Sequence, residues 1–229
     1  MADQTTPRPD ILAIASDYDG TLAEDDIVPA RTIAALERFR TSGRRLILVS
    51  GRHLPDLKQV FDHLHLFDVA ILENGGLLYF PQTNETRLLA APPSDQFIAR
   101  LRERGVDELA IGQTIVATHI GHYEAIRATI EEMGLDLAII LNTDALMVLP
   151  RGIDKASGLK AGLAALSLAP MNVAAIGDAE NDIVFLQACG YAVAVANALP
   201  QVKAVADKIT KGARGYGVEE FIAELLKQV

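Results

Sequence analysis

The stretch ILAIASDYDGTL, residues 11–22, places two carboxylates directly after an apolar run. Residues 11–15 have the continuous apolar character of a strand that is buried on both faces of a parallel sheet. Asp17 and Asp19 follow this run one residue apart, and carboxylates at such a spacing repel each other. The segment is therefore either a solvated turn or a site at which a cation offsets the repulsion.

The composition predicts a globular protein without a broad anionic partner. The 229 residues are 50% hydrophobic and 22% charged, which suffices for a sizeable core. The net charge of −9 disfavours nucleic acids and anionic membranes as partners, whereas a small anionic substrate stays possible. Cys189, the single cysteine, excludes an internal disulfide and is typical of a reducing compartment. Because residues 1–10 contain no apolar signal core and no apolar run has membrane-spanning length, we expect a cytoplasmic protein.

Short apolar runs recur along the chain and alternate with amphipathic segments. Further strands are expected at residues 45–50, 68–72, 172–177 and 191–196, and the segments between them are typical of helices. This alternation predicts an α/β fold, a doubly wound parallel sheet with helices on both faces. In such sheets, ligands bind at the carboxyl ends of the strands.

Residues 81–149 follow a different pattern. Turn-forming residues come first, and two helix-like segments, 95–105 and 122–134, then alternate with short apolar runs. We interpret this stretch as a small α+β unit that is inserted into the sheet domain. The core then comprises residues 1–80 and 150–229.

Polar residues beside glycines follow four of the predicted strands. They are Asp17, Asp19 and Thr21 after the first strand, Ser50 and Gly51 after the second, Glu73 to Gly76 after the third, and Asp178, Asn181 and Asp182 after the strand at 172–177. Lys155 opens the helix that follows the insert. Each fragment alone is common in turns and helix caps. Because the carboxyl ends of parallel strands share one edge of a sheet, their joint occurrence indicates a functional site at that edge.

Four of these segments resemble the motifs of a known enzyme superfamily. DYDGTL (17–22), VSGR (49–52), GIDKASGL (152–159) and GDAENDI (177–183) are similar to the four motifs of the haloacid dehalogenase (HAD) superfamily of phosphohydrolases. The insert between the second and third motifs resembles the type IIB cap of the Cof-like phosphatases. The resemblance implies a HAD-like Rossmannoid core and Mg²⁺-dependent hydrolysis of a small phosphomonoester, either phosphoglycolate or a sugar phosphate.

The resemblance also implies a role for each matching residue. Asp17 would be the nucleophile that forms an aspartyl phosphate, and Asp19 the general acid and base. The Mg²⁺ ligands would be Asp17, the Asp19 backbone carbonyl, Asp178 and Asp182. The phosphate-binding residues would be Thr21, Ser50, Gly51, Lys155 and Asn181.

Two other functions remain open at this point, and the insert adds its own hypothesis. A phosphomutase would keep the aspartyl phosphate and pass it to a second hydroxyl, and a non-catalytic phosphoryl-sensing domain would have lost a motif residue. The insert holds no motif residue, so we expect it to set substrate choice, with His119 and His122 as candidates. Arg52 and Arg151 flank motifs and are candidates to meet a substrate anion.

Overall fold

The computed structural model of the protein describes residues 10–227. Within this range the strands are β1 (Ala13–Asp17), β2 (Arg45–Val49), β3 (Val69–Leu72), β4 (Leu77–Phe80), β5 (Glu85–Leu88), β6 (Ala110–Ile111), β7 (Val116–His119), β8 (Leu137–Asn142), β9 (Ala145–Pro150), β10 (Val173–Gly177), β11 (Tyr191–Ala194) and β12 (Lys208–Ile209). The α-helices are α1 (Ala30–Thr41), α2 (Leu54–Val60), α3 (Asp95–Glu103), α4 (Tyr123–Met133), α5 (Lys155–Ala165), α6 (Ile183–Gln187), α7 (Pro200–Val205) and α8 (Arg214–Leu226).

Eight strands form the larger sheet in the order β12-β11-β10-β1-β2-β3-β4-β5. The six strands from β12 to β3 are parallel, which confirms the predicted α/β fold class. The other two, β4 and β5, pair antiparallel and make the sheet mixed. The chain reverses after β3 within residues 73–76, where Glu73, Asn74 and Gly75 all have positive φ. Only four residues separate β3 from β4, too few for a helical crossover to a parallel strand.

Helices cover both faces of this sheet. On one face α1 packs against α8, and on the other α5 contacts α6, which in turn contacts α7. The right-handed crossovers β1-α1-β2 and β10-α6-β11 run in opposite directions across the sheet, so their helices lie on opposite faces. The β1 strand is buried at every position, as a strand between two helical layers must be.

The two crossover directions diverge between β1 and β10. Ser16 pairs with Ile176, so Asp17 at the end of β1 lies level with Gly177 at the end of β10. Ligand sites in open α/β sheets lie at such a switch in strand order. The fold therefore brings the acidic residues that follow β1 and those that follow β10 to one crevice.

The smaller sheet is antiparallel, with the order β6-β7-β9-β8. Its own apolar core includes Phe97 and Leu101 from α3, Ile126 from α4, and Leu146 and Val148 from β9. The strand β5 lies inside the range 81–149 that the sequence assigns to the insert, yet it is an edge strand of the larger sheet. Its four residues are all exposed, so no apolar pattern marks which sheet they join.

Alternate residues of β9 face opposite sides of the smaller sheet. Leu146 and Val148 enter the core of this domain, whereas Met147 and Leu149 form a separate buried cluster on the other side. Met147 also lines a cleft between the two sheets. No helix within residues 10–227 is both long enough and apolar enough to span a lipid bilayer.

Candidate active site

A buried lysine joins two of the acidic segments. Lys155 Nζ donates to Asp17 Oδ1 and to Asp182 Oδ1, each at 2.6 Å, and all three side chains are almost fully buried. Burial opposes the lysine's charge, but the carboxylates of Asp17 and Asp182 raise the pKa of Lys155 above its ordinary value. The ammonium therefore stays charged beside Asp17.

Both carboxylate oxygens of Asp182 accept hydrogen bonds, and Oδ1 accepts from Lys155 as described above. Its Oδ2 accepts hydrogen bonds from the backbone N–H groups of Asp178 at 2.8 Å and Ala179 at 3.0 Å. The Thr21 hydroxyl donates to Asp178 Oδ1 at 2.8 Å, which links the loop after β1 to the loop after β10. These bonds fix the position of the acidic loop relative to β1.

The three carboxylates form a cluster that fits a divalent cation. Oxygen atoms of Asp17, Asp178 and Asp182 lie within 4.8 Å of one another. Burial raises the pKa of Asp17 well above its usual range, and repulsion from the Asp182 carboxylate is the second cause of this shift. Attraction to Lys155 opposes it. Burial also raises the pKa of Asp178 to about 6. With all groups ionised, three carboxylates and one ammonium leave a net charge of −2, and carboxylate oxygens are the ligands that Mg²⁺ prefers.

The second aspartate of the opening stretch has a different environment. The Asp19 side chain is half exposed and accepts hydrogen bonds from Arg52 Nε at 2.9 Å and Arg52 Nη2 at 2.6 Å. The same Nη2 also donates to Asp26. Asp19 therefore points toward solvent in the cleft and does not join the buried carboxylate cluster.

The remaining sequence-predicted residues separate into two groups. Gly51 lines the cleft together with Asp17, Asp19 and Lys155. Ser50 is buried behind it, and its Oγ accepts from the Arg52 backbone N–H at 3.1 Å. Asn181 donates from Nδ2 to Asn74 Oδ1 at 3.0 Å, while its own Oδ1 is buried and meets no hydrogen-bond donor within the described residues. Thr21, Ser50 and Asn181 are not among the residues that line the cleft, so their roles toward a phosphate stay predictions.

Small, uncharged residues of the smaller domain close the cleft from above. The cavity has a volume of about 240 Å³. Its lining from the smaller domain consists of Ala110, Ala117, Asn142, Ala145 and Met147.

The two histidines of the insert lie outside this lining. His119 is exposed, and its Nδ1 accepts from the Gly121 backbone N–H at 3.1 Å, so it caps a 3₁₀ turn. His122 ends that turn. The structure therefore gives no support to His119 and His122 as residues that contact a substrate.

A family model for haloacid dehalogenase-like hydrolases matches residues 14–113 and 103–222, which is most of the chain. The chain belongs to the haloacid dehalogenase-like hydrolase family. It is 31% identical over 229 residues to phosphoglycolate phosphatase 1 of Saccharolobus solfataricus, covering 95% of this chain and 96% of the relative.

Solved structures share the fold of this haloacid dehalogenase-like hydrolase. One is a haloacid dehalogenase-like hydrolase from Bacteroides thetaiotaomicron, with a TM-score of 0.79, 23% identity, and coverage of 94% of this chain and 99% of that chain. Another is a HAD subclass IIB sugar phosphatase, with a TM-score of 0.75, 19% identity, and coverage of 93% and 98%. The resemblance of the four sequence motifs to this superfamily is thus confirmed.

Two features of this hydrolase's site were missed by reasoning from the sequence. The first is the pairing of Arg52 with Asp19, because VSGR shows an arginine near a motif but not its partner. The second is the uncharged lining that the smaller domain contributes to the cleft. The alternation of LMVLP, residues 146–150, was a usable signal, since it places Met147 on the face opposite Leu146.

Proposed function

We propose that this protein is a Mg²⁺-dependent phosphatase that hydrolyses a small phosphomonoester through an aspartyl phosphate on Asp17. One observation carries the proposal: Asp17 ends β1 at the crevice, bonded to a buried ammonium and grouped with two more carboxylates. Such a set can position a phosphoryl group and stabilise its charge, which is most of what phosphoryl transfer requires.

In the first half-reaction, an Asp17 carboxylate oxygen attacks phosphorus and the ester P–O bond breaks. The protonated Asp19 side chain gives its proton to the departing alkoxide, which leaves as an alcohol. Lys155 stays bonded to Asp17 and neutralises charge beside the transferring group. Mg²⁺, held by Asp17, Asp178, Asp182 and the Asp19 carbonyl, would supply charge that screens the phosphate from Asp17.

In the second half-reaction, a water molecule attacks phosphorus of the aspartyl phosphate. The Asp19 carboxylate takes the proton of that water, and the bond between phosphorus and the Asp17 oxygen breaks to release inorganic phosphate. The half-exposed Asp19 lines the cleft together with Asp17, which supports its proposed role as acid and base.

The substrate that we favour is 2-phosphoglycolate, with a sugar phosphate as the second choice. The relative from S. solfataricus is a phosphoglycolate phosphatase and is similar over nearly the whole chain. The cleft volume of about 240 Å³ also suits a small ester better than an extended one.

The test is phosphate release from a panel of phosphomonoesters, measured with Mg²⁺ and again with excess EDTA. We expect 2-phosphoglycolate to have the highest kcat/KM and all turnover to require the metal. Phosphorus NMR of the products separates hydrolysis from mutase activity, since a mutase would yield a phosphate isomer. No phosphate release from any ester would refute the proposed function.

A further inference from the structure

Positive charge in the cleft is confined to a few side chains of the larger domain. Within the described residues, the cap side of the lining is three alanines, an asparagine and a methionine. On the opposite side, the lining residues that can carry positive charge are Arg52, His53 and Lys155. Lys155 is buried and bonded to two carboxylates, and His53 lies 3.4 Å from the Asp56 carboxylate. Arg52 also pairs with two carboxylates, those of Asp19 and Asp26, but it does so through Nε and Nη2 alone. Its Nη1 is therefore the cationic donor that is left for the part of a substrate beyond its phosphate.

The backbone and ring contacts of Arg52 hold it in place. Its backbone N–H donates to Ser50 Oγ at 3.1 Å, and its carbonyl accepts from the Glu73 N–H at 3.1 Å. Its guanidinium carbon lies 5.3 Å from the centre of the buried Tyr18 ring, a cation–π distance. The Tyr18 hydroxyl in turn donates to the Asp26 carbonyl at 3.0 Å. A guanidinium on such a platform keeps its orientation when a ligand arrives.

The guanidinium also has donors to spare. Its Nε and Nη2 bond to Asp19 and Asp26, whereas its Nη1 donates to no atom of residues 10–227. Hydrogen bonds to Asp19 raise the pKa of Arg52, so the group is charged at every working pH. The side chain is 25% exposed, which leaves it open to the cleft while its charge is partly shielded from bulk water.

We propose that Arg52 is the specificity-determining residue that binds a second anionic group, a carboxylate, on the non-phosphate part of the substrate. The Nη1 group, which Asp19 and Asp26 leave unbonded, can donate charge-assisted hydrogen bonds to a carboxylate. A carboxylate near the phosphate would meet Arg52 at one side of the cleft, while the neutral cap lining would offer no competing charge. The proposal rests on the proposed function, because it names the substrate class for the same site.

Arg151, the other arginine that flanks a motif, does not meet these conditions. It pairs with Asp136 at 2.9 Å on the surface of the smaller domain, and it lines a different cavity. Its side chain is 68% exposed. Arg151 therefore serves as the matched control for loss of one arginine.

The experiment measures binding of two inert phosphonates by calorimetry in the presence of Mg²⁺. One is 3-phosphonopropionate, which replaces the ester oxygen of 2-phosphoglycolate by a methylene group, and the other is propylphosphonate, which lacks the carboxylate. We expect Arg52→Met to weaken 3-phosphonopropionate binding by about tenfold or more, as loss of a charge-assisted pair does, and propylphosphonate binding by less than about twofold. Arg52→Lys should fall between the wild type and Arg52→Met, and Arg151→Met should leave both affinities unchanged.

Steady-state kinetics add a second readout on the same variants. We expect kcat/KM of Arg52→Met to fall more for 2-phosphoglycolate than for ethyl phosphate, with the difference appearing chiefly in KM. Equal weakening of both phosphonates would show that Arg52 acts only on the shape of the site and would overturn the proposal. Undiminished preference for the carboxylate in Arg52→Met would also overturn it, since another group would then bind that carboxylate.

The two proposals fail in different ways. If no phosphoester is hydrolysed but the phosphonate preference depends on Arg52, the proposed function falls and the carboxylate site stands. If 2-phosphoglycolate is hydrolysed equally well by Arg52→Met, the phosphatase stands and the carboxylate site falls.

Discussion

Glu73, in the loop after β3, accepts two hydrogen bonds from Thr114 of the smaller domain, one from its backbone N–H at 2.6 Å and one from its hydroxyl at 2.8 Å. The Gln113 N–H adds a third bond to the same carboxylate at 3.0 Å. Both Glu73 and Thr114 are buried, and a Cβ on Gly112 would lie 2.7 Å from the Glu73 carboxyl carbon. The close approach of the two domains at this point therefore depends on a glycine and on a carboxylate that forms no ion pair with a basic side chain of residues 10–227.

Glu73→Gln tests this clamp between the two domains. A glutamine keeps one acceptor oxygen but turns an NH₂ group toward N–H and O–H donors, so at least one buried polar group loses its partner. We expect the free energy of unfolding to fall by about 1 to 3 kcal/mol. Urea unfolding measures the loss, and Glu85→Gln, on the exposed strand β5, is the control. Equal stability of the two variants would contradict the clamp.

Asp17→Asn tests the nucleophile. An amide cannot form the phosphoanhydride, so we expect phosphate release to fall below detection for every substrate. The amide oxygen can still accept from Lys155, so the thermal unfolding temperature should stay close to that of the wild type. Mass spectrometry of acid-quenched enzyme should detect a phosphorylated species in the wild type and none in the variant. Substantial turnover by Asp17→Asn would rule out the aspartyl-phosphate mechanism.

Asp178→Asn tests the acidic cluster through stability, without relying on activity. The pKa of Asp178 is raised by burial to about 6, against 3.8 for an ordinary aspartate. Between pH 3.8 and pH 6 the native state therefore binds more protons at this carboxyl than the unfolded state does. The stabilisation that the protonated carboxyl gives to the native state is fully present below pH 3.8, and it is lost as the pH rises through 6. In EDTA, the variant should match the wild type near pH ~4 and exceed it by roughly 1 to 2 kcal/mol near pH ~7.5.

The same variant separates metal binding from general charge effects. Mg²⁺ should stabilise the wild type, because it binds the native cluster, and should stabilise Asp178→Asn much less. Asp136→Asn, which removes a carboxylate on the surface of the cap, should respond to Mg²⁺ as the wild type does. A wild type that gains no stability from Mg²⁺ would speak against the cluster as a metal site.

Ala117→Phe tests whether the cap lining limits substrate size. The larger ring would fill part of the cleft, so kcat/KM should drop at least about tenfold for a sugar phosphate that the wild type hydrolyses and by less than about threefold for acetyl phosphate. His119→Phe lies on the same strand, outside the cleft lining, and should leave the ratio of the two substrates unchanged. If His119→Phe changed the ratio of kcat/KM for the two substrates as much as Ala117→Phe does, His119 would again be a candidate for setting substrate choice.

Cys189, a partly exposed residue just after α6, provides a test of local opening in the larger domain. Burial raises the pKa of its thiol to about 12, so the reactive thiolate is scarce at pH ~8. Alkylation by iodoacetamide should be at least about a hundredfold slower in the native protein than in urea. A native rate within about tenfold of the unfolded rate would mean that the loop after α6 opens readily.

The pattern of apolar residues and capping residues along the sequence was enough to predict the alternation of strands and helices. It also placed Asp17, Asp178 and Lys155 at the ends of these elements. Apolar runs and caps are properties of neighbouring residues, so the sequence carries them openly. The four motifs, taken together, also indicate the superfamily from the sequence alone. Their assignment to one sheet edge followed from the rule that parallel strands share their carboxyl ends.

Only the tertiary structure decided which of these groups touch. Lys155 meets Asp17 across 138 residues of sequence, and Glu73 meets Thr114 across 41. Arg52 binds Asp19 rather than the buried cluster. Such contacts depend on how separate elements approach each other to within hydrogen-bond distance, and no local periodicity encodes that approach. The position of the edge strand β5 was likewise decided by the tertiary structure. All four of its residues are exposed, so it is held in the larger sheet by backbone hydrogen bonds to β4 and not by apolar burial.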